Sequence, residues 1–256
     1  MQIAYATEPA PGHLNEDRVV CGGGWAIVLD GATAPEGVDS GCIHDVNWLV
    51  SHLASAIARR MLLNPVDLQA LLADAIEELR QTHHGACDLG NPDSPSSTVS
   101  IVHVTGGVLD YLTLGDSPIV VCGPAEGITV IEDDRVARLP GGRPYTRELV
   151  RASRNKPGGF WVASTDPEAA HQAVAGSMPY SASMGVGLFT DGASRLVEFF
   201  GCSWQEVFAI LEADGPAAVI AAVRSAEVRQ PLSGYNKPYD DATAVLIAGD
   251  RTALRA

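Results

Sequence analysis

The stretch Trp25-Ala26-Ile27-Val28-Leu29-Asp30-Gly31 decides how the chain is read. Five consecutive apolar residues predict a central strand covered on both faces, because a half-exposed strand would alternate with polar residues. The Asp-Gly that ends it most often marks a hairpin turn. The arrangement recurs, however. Val186–Phe189 runs into Thr190-Asp191-Gly192, and Tyr239-Asp240-Asp241-Ala242-Thr243 leads into the apolar run Ala242–Ala248. Asn15-Glu16-Asp17 and Leu114-Gly115-Asp116-Ser117 add further carboxylates beside strand signals. Carboxylates at strand ends can converge in space while far apart in sequence, and hard divalent cations take oxygen ligands of this kind.

Other β-branched runs lie at Thr98–Val104, Val108–Leu114, Ile119–Val121 and Ile128–Ile131, with Gln2–Ala6 as a further short strand. Thr105-Gly106-Gly107 and Gly115-Asp116-Ser117-Pro118 carry tight-turn signals, which favour hairpins and antiparallel pairing. Helical periodicity spaces Ile43, Val46, Val50, Leu53, Ile57 and Met61, leaving His44 off the apolar stripe as an exposed side chain or a structural hydrogen bonder. Asn64-Pro65-Val66-Asp67 reads as an N-cap with proline at the first helical position. The helix it opens buries Leu68, Leu71, Leu72, Ile76 and Leu79, and leaves His83 and His84 solvated at its end. Ser203-Trp204-Gln205-Glu206 is a capping-box pattern, and a last helix spans Pro216–Arg229. Asn91–Ser97 and Pro140–Pro144 read as surface loops. Two packed sheets with helices on both outer faces would bury all of these stripes. Residues 1–250 are expected to form one domain, with 251–256 as a short tail.

The 256 residues carry a formal net charge of −14, which disfavours nucleic acid and anionic membrane as partners. Five cysteines, odd in number and never spaced C-x-x-C, fit reduced thiols in a cytosolic protein. The amino terminus has neither a basic n-region nor an apolar h-region, and no apolar run approaches bilayer length. A soluble, cytoplasmic protein is expected. No Gly-Lys-Ser/Thr phosphate loop, Gly-x-Ser-x-Gly elbow or His-Glu-x-x-His motif occurs.

Taken in order, Asn15-Glu16-Asp17, strand-Asp30-Gly31, Ser96-Ser97-Thr98-strand, Gly115-Asp116-Ser117, Thr190-Asp191-Gly192 and Asp240-Asp241-Ala242-Thr243 closely resemble the PP2C (PPM) family of metal-dependent Ser/Thr protein phosphatases, bacterial type. The resemblance extends from about Ala4 to Ala248. It implies an α+β fold, the family's four-layer αββα sandwich of two antiparallel sheets flanked by helices. It also implies two Mn²⁺ or Mg²⁺ ions, with a third bound more weakly. Asp30 would bridge the pair and the Gly31 carbonyl would bind one ion. Asp191 and Asp240 would complete the first site, Glu16 would serve the second, and Asp116 would join Asp191 at the third. Asp17 would orient metal-bound water, making Asp17 and Asp30 the candidate catalytic residues. Two carboxylates about 4 Å apart repel by roughly 4 kcal/mol at an effective dielectric near 20, so such a gathering needs cations or protons. A two-metal site would then ionise a bridging water that attacks phosphorus directly, with no phosphoenzyme.

The chain departs from the family where substrate is handled. Pro11-Gly12-His13-Leu14 stands where an Arg commonly clamps the phosphate, and Ala32-Thr33-Ala34-Pro35 stands where many relatives carry a His. His13 and Arg18 are candidate replacements, as are Arg143 and Arg147 in the Arg-rich segment that continues through Arg151 and Arg154. The expected substrate is a phosphoserine or phosphothreonine protein, with a small phosphorylated metabolite as alternative. The rival from another class is a catalytically weak PP2C-fold binding or regulatory module.

Overall fold

The computed structural model describes residues 1–34, 37–63, 67–83, 85, 87–123, 127–232 and 237–249. The tail at 251–256, His84, and Asn64–Val66 of the expected cap lie outside the described residues. One five-stranded sheet is ordered β1(Gln2–Glu8)-β10(Ala242–Ala248)-β9(Gly185–Phe189)-β6(Ile119–Gly123)-β7(Gly127–Ile131). The other is ordered β2(Arg18–Gly22)-β3(Trp25–Ala32)-β4(Ser96–Thr105)-β5(Val108–Leu114)-β8(Val174–Pro179). Every strand pairing is antiparallel.

Side-chain alternation along β3 explains its unbroken apolar run. Trp25, Ile27 and Leu29 pack against α1(Val46–Met61) and α2(Leu68–Gln81), whereas Ala26 and Val28 face the other sheet. Both sets are buried, so neither phase of the period-two pattern can be polar. The second sheet repeats the arrangement. Val120, Phe189, Ala242 and Ala244 meet α5(Asp191–Glu198), α6(Trp204–Asp214) and α7(Pro216–Arg229), while Val121, Val186, Leu188, Val245 and Ile247 fill the space between sheets. Three apolar layers thus separate four structural layers, the expected αββα sandwich. Each fully buried Val, Leu or Ile contributes roughly 1.5–3 kcal/mol. Two short helices, α3(Arg147–Ser153) and α4(Glu168–His171), complete the elements.

Several local expectations change. Gly106 and Gly107, both at positive φ, form the predicted two-residue β4–β5 turn. Gly115–Pro118 does not form a hairpin, because β5 and β6 belong to different sheets and the segment crosses between them. α1 starts at Val46 behind an Asp45 cap, which leaves Ile43 exposed and His44 ahead of the helix. Asp67 caps α2 by accepting from the Gln69 and Ala70 amides. His83 is 3% exposed rather than solvated, because the end of α2 packs against the loop that precedes α1. Asp93, Ser94, Ser96 and Ser97 are buried, so Asn91–Ser97 is largely interior. The Ser203–Glu206 capping box and the Pro216–Arg229 helix form as expected.

Candidate metal centre

Strand register brings the acidic motifs together. Glu8 at the end of β1 pairs with Ala242 at the start of β10, and Phe189 at the end of β9 pairs with Ala244. In the facing sheet, Arg18 at the start of β2 pairs with Leu29 near the end of β3. Glu16, Asp17, Asp30, Asp191 and Asp240 therefore leave four neighbouring strand ends at one edge of the sandwich. The glycines after Asp30 and Asp191 are required by close approach. A Cβ on Gly31 would lie 2.7 Å from the Glu16 carbonyl oxygen, and one on Gly192 would lie 1.9 Å from that of Asp241. Neither Asp-Gly is a hairpin turn.

Asp17 is buried. Its Oδ2 accepts from the hydroxyls of Thr243 at 2.6 Å and Thr190 at 3.1 Å, whereas Oδ1 has no hydrogen-bond partner among the described residues. Asp30 Oδ2 accepts from the Asp191 backbone N–H at 3.4 Å. Burial pushes Asp30 well above the usual carboxylate range, and the charges of Asp191, Asp17 and Asp240 add to the effect. Asp17 and Asp191 are each raised to about 7, by burial first; Asp241 and Asp191 add for Asp17, and Asp240 and Asp116 add for Asp191. Glu16 is raised by burial against a lowering hydrogen bond from Thr33. Burial also raises Asp116, offset in part by Arg143. Such mutual repulsion, with a carboxylate oxygen buried and unsatisfied, fits a site that takes hard cations.

Cations of the protein brace the rim. Asp240 is held by Arg195 at 3.0 Å and Lys237 at 3.1 Å. Arg195 is itself buried against Glu227, which also accepts from Arg224, and Arg224 donates to the Asp240 carbonyl at 2.7 Å. The sequence reading missed this network. The signal available was Glu227 on a helix face otherwise formed by Val219, Ile220, Val223 and Ala226.

The candidate substrate residues are dispersed. His13 is exposed on the loop before Glu16. Arg18 donates to the carbonyls of Asn15 and Asp17 and to the side chain of Asn47. Arg147 and Arg151 both pair with the buried Asp93, and Arg154 donates to the carbonyls of Pro92 and Ser94. Arg143 faces the acidic centre, bonded to Asp116 at 3.3 Å and Glu198 at 3.0 Å. A cleft of about 410 Å³ opens beside it, lined in part by Asp116, Asp133, Tyr145, Glu198 and Trp204.

A profile of the protein phosphatase 2C family matches residues 10–225, and the chain belongs to that family. The S. agalactiae serine/threonine phosphatase is similar at 14% identity, with 97% of this chain and 99% of that one covered and a TM-score of 0.66. PstP/Ppp of Mycobacterium tuberculosis is 17% identical over 97% of this chain and 98% of that one, with a TM-score of 0.60. The PstP catalytic domain solved with two manganese ions gives 17% identity, 96% coverage of both chains and a TM-score of 0.60. At these identities the likeness shows the fold. No curated protein matches the sequence. No helix among the described residues is long and apolar enough to cross a membrane.

Proposed function

We propose that the protein is a Mn²⁺- or Mg²⁺-dependent phosphomonoester hydrolase acting on phosphoserine or phosphothreonine proteins. The observation that carries this reading is the convergence of Asp17, Asp30, Asp191 and Asp240, where burial first and neighbouring carboxylates second raise the pKa values of Asp17, Asp30 and Asp191. Asp30, Asp191 and Asp240 would hold one ion, and Asp30, Glu16 and the Gly31 carbonyl a second. Asp116 and Asp191 would hold a weaker third. A pair of divalent cations supplies an ionised water as nucleophile and neutralises phosphoryl charge.

The residues of the chain do the rest. Asp17 Oδ1, with Oδ2 fixed by Thr190 and Thr243, orients the attacking water and takes its proton. Arg143 is the guanidinium placed to turn from Asp116 and Glu198 onto a phosphate oxygen. The cleft beside it receives the chain flanking the phosphorylated residue. No His follows Gly31 within the turn, so the leaving oxygen draws its proton from solvent.

Assays of a phosphothreonine peptide and a chromogenic aryl phosphate, with Mn²⁺ and with EDTA, test the reading. Metal-dependent release from both is expected. Turnover of small phosphoesters alone would move the substrate to a phosphorylated metabolite. Silence under every metal would leave a PP2C-fold binding module.

A further inference from the structure

A second set of metal-ligand side chains, none of them a carboxylate, converges where the loop before α1 meets the end of α2. The loop entering α1 carries Cys42 and His44, and the end of α2 with its following turn carries His83 and Cys87. One ligand atom from each lies within 4.8 Å of all the others. The two sulfurs are 3.1 Å apart, and each is 3.6 Å from His44 Nδ1. A tetrahedral zinc with Zn–S of ~2.3 Å and Zn–N of ~2.0–2.1 Å places sulfur and nitrogen roughly 3.6 Å apart, matching those separations, and its two sulfurs roughly 3.8 Å apart. The sulfurs therefore need to part by only about 0.7 Å to accept the ion.

The surroundings orient the donors. His83 Nδ1 donates to the Leu79 carbonyl at 3.0 Å, which fixes the tautomer and makes Nε2 the lone-pair atom. This is the outer hydrogen bond that metal-ligating histidines characteristically make. Trp48 stacks on the His44 ring at 3.7 Å and meets the His83 ring edge-on at 4.9 Å. Cys42, His44, Trp48 and His83 border a cavity of about 10 Å³, room for a single small sphere.

We propose that Cys42, His44, His83 and Cys87 form a structural Zn²⁺ site, distinct from the carboxylate centre in its residues and in donor chemistry. Thiolate and imidazole donors in a closed tetrahedral set select zinc, whereas Mn²⁺ and Mg²⁺ prefer oxygen. The ion joins two loops that already touch: the Asp88 N–H donates to the Gly41 carbonyl at 2.7 Å, and Asn91 Nδ2 donates to the Asp39 carbonyl at 3.2 Å. The second loop continues to Asp93 and Ser94, which anchor Arg147, Arg151 and Arg154. Zinc would thus stiffen the base on which the Arg-rich segment rests.

Zinc content of protein purified without a polyhistidine tag and gel-filtered in metal-free buffer tests the proposal. About one Zn²⁺ per chain is expected in the wild type and in the Asp30→Asn/Asp191→Asn variant, falling at least about tenfold in Cys42→Ser/Cys87→Ser. Because the double serine variant could fail to fold, Co²⁺ is also added to zinc-stripped wild type. Thiolate-to-cobalt charge transfer with tetrahedral visible bands supports the site. Wild type that holds no zinc and shows no such bands overturns it. So does zinc retained in full by the serine variant, or a Cys42–Cys87 disulfide detected as a two-hydrogen mass loss in the isolated protein. None of these readouts depends on phosphatase activity.

Discussion

The backbone N–H of Glu16 donates to Asp241 Oδ2 at 2.6 Å, tying together residues 225 positions apart. The other oxygen of the same carboxylate takes the Ala10 N–H at 2.7 Å. Asp241 thereby pins the β1–β2 connection that carries Glu16 and Asp17, although its charge raises both of their pKa values. Hydrogen bonds to a charged acceptor are worth about 1.5–3 kcal/mol each. Asp241→Ala should therefore lose about 3–5 kcal/mol in urea unfolding and weaken Mn²⁺ binding about 10–100-fold by calorimetry. Asp241→Asn keeps one accepting oxygen and should fall between the two. Wild-type Mn²⁺ affinity in Asp241→Ala would remove the brace from the account.

Arg195 is the buried link between the metal edge and α7, bonded to Glu227 at 2.8 Å and Asp240 at 3.0 Å. Removing one member of a buried ion-pair network leaves the others uncompensated, at about 3–5 kcal/mol. Arg195→Ala should lose that much stability in denaturant titration. A loss below about 1 kcal/mol, the range of an exposed pair, would contradict the assignment.

Arg143→Ala should reduce kcat/KM on a phosphothreonine peptide about 10²-fold while leaving Mn²⁺ affinity at least as high. Its guanidinium offsets the charges of Asp116 and Glu198, so removing it cannot cost the ions a ligand. Arg143→Lys should recover only part of the rate, because a single ammonium does not reproduce a two-pronged contact. Unchanged kcat/KM in Arg143→Ala would return the phosphate contact to His13 or another cation.

Asp17 and Asp191 titrate near 7 in the metal-free fold against an ordinary 3.8. Between those values the folded chain holds protons that the unfolded chain has released, so metal-free stability drops as pH rises from about 4 to about 7. Cations reverse the penalty by stabilising the ionised carboxylates, and protons compete with them. The Tm gain on adding Mn²⁺ should therefore grow by several degrees between pH 5 and pH 7.5 in differential scanning fluorimetry. A gain independent of pH would mean that these two carboxylates are not involved.

The layers were legible because burial on both faces leaves runs such as Trp25–Leu29 with no polar phase, and helix stripes repeat at their own period. β2 and β8 were not read. The residues of β2 are all only partly buried, and those of β8 alternate weakly at a sheet edge. Among site residues, the aspartates announced themselves through the glycines that close approach demands. The roles of Arg195, Glu227 and Asp241 depend on partners 32 to 231 positions away, which no local pattern records. Cys42, His44, His83 and Cys87 escaped notice because Cys-x-His and His-x₃-Cys become one cluster only when α1 and α2 pack side by side.

Phosphate release from a phosphothreonine peptide by metal-stripped protein, followed as Mn²⁺ is titrated in, bears most directly on the carboxylate centre. Release should rise saturably from background, return to background with EDTA, and be absent in Asp191→Ala at every Mn²⁺ concentration. Equal rates with and without Mn²⁺, or wild-type rates in Asp191→Ala, would contradict a metal-dependent centre built on these aspartates.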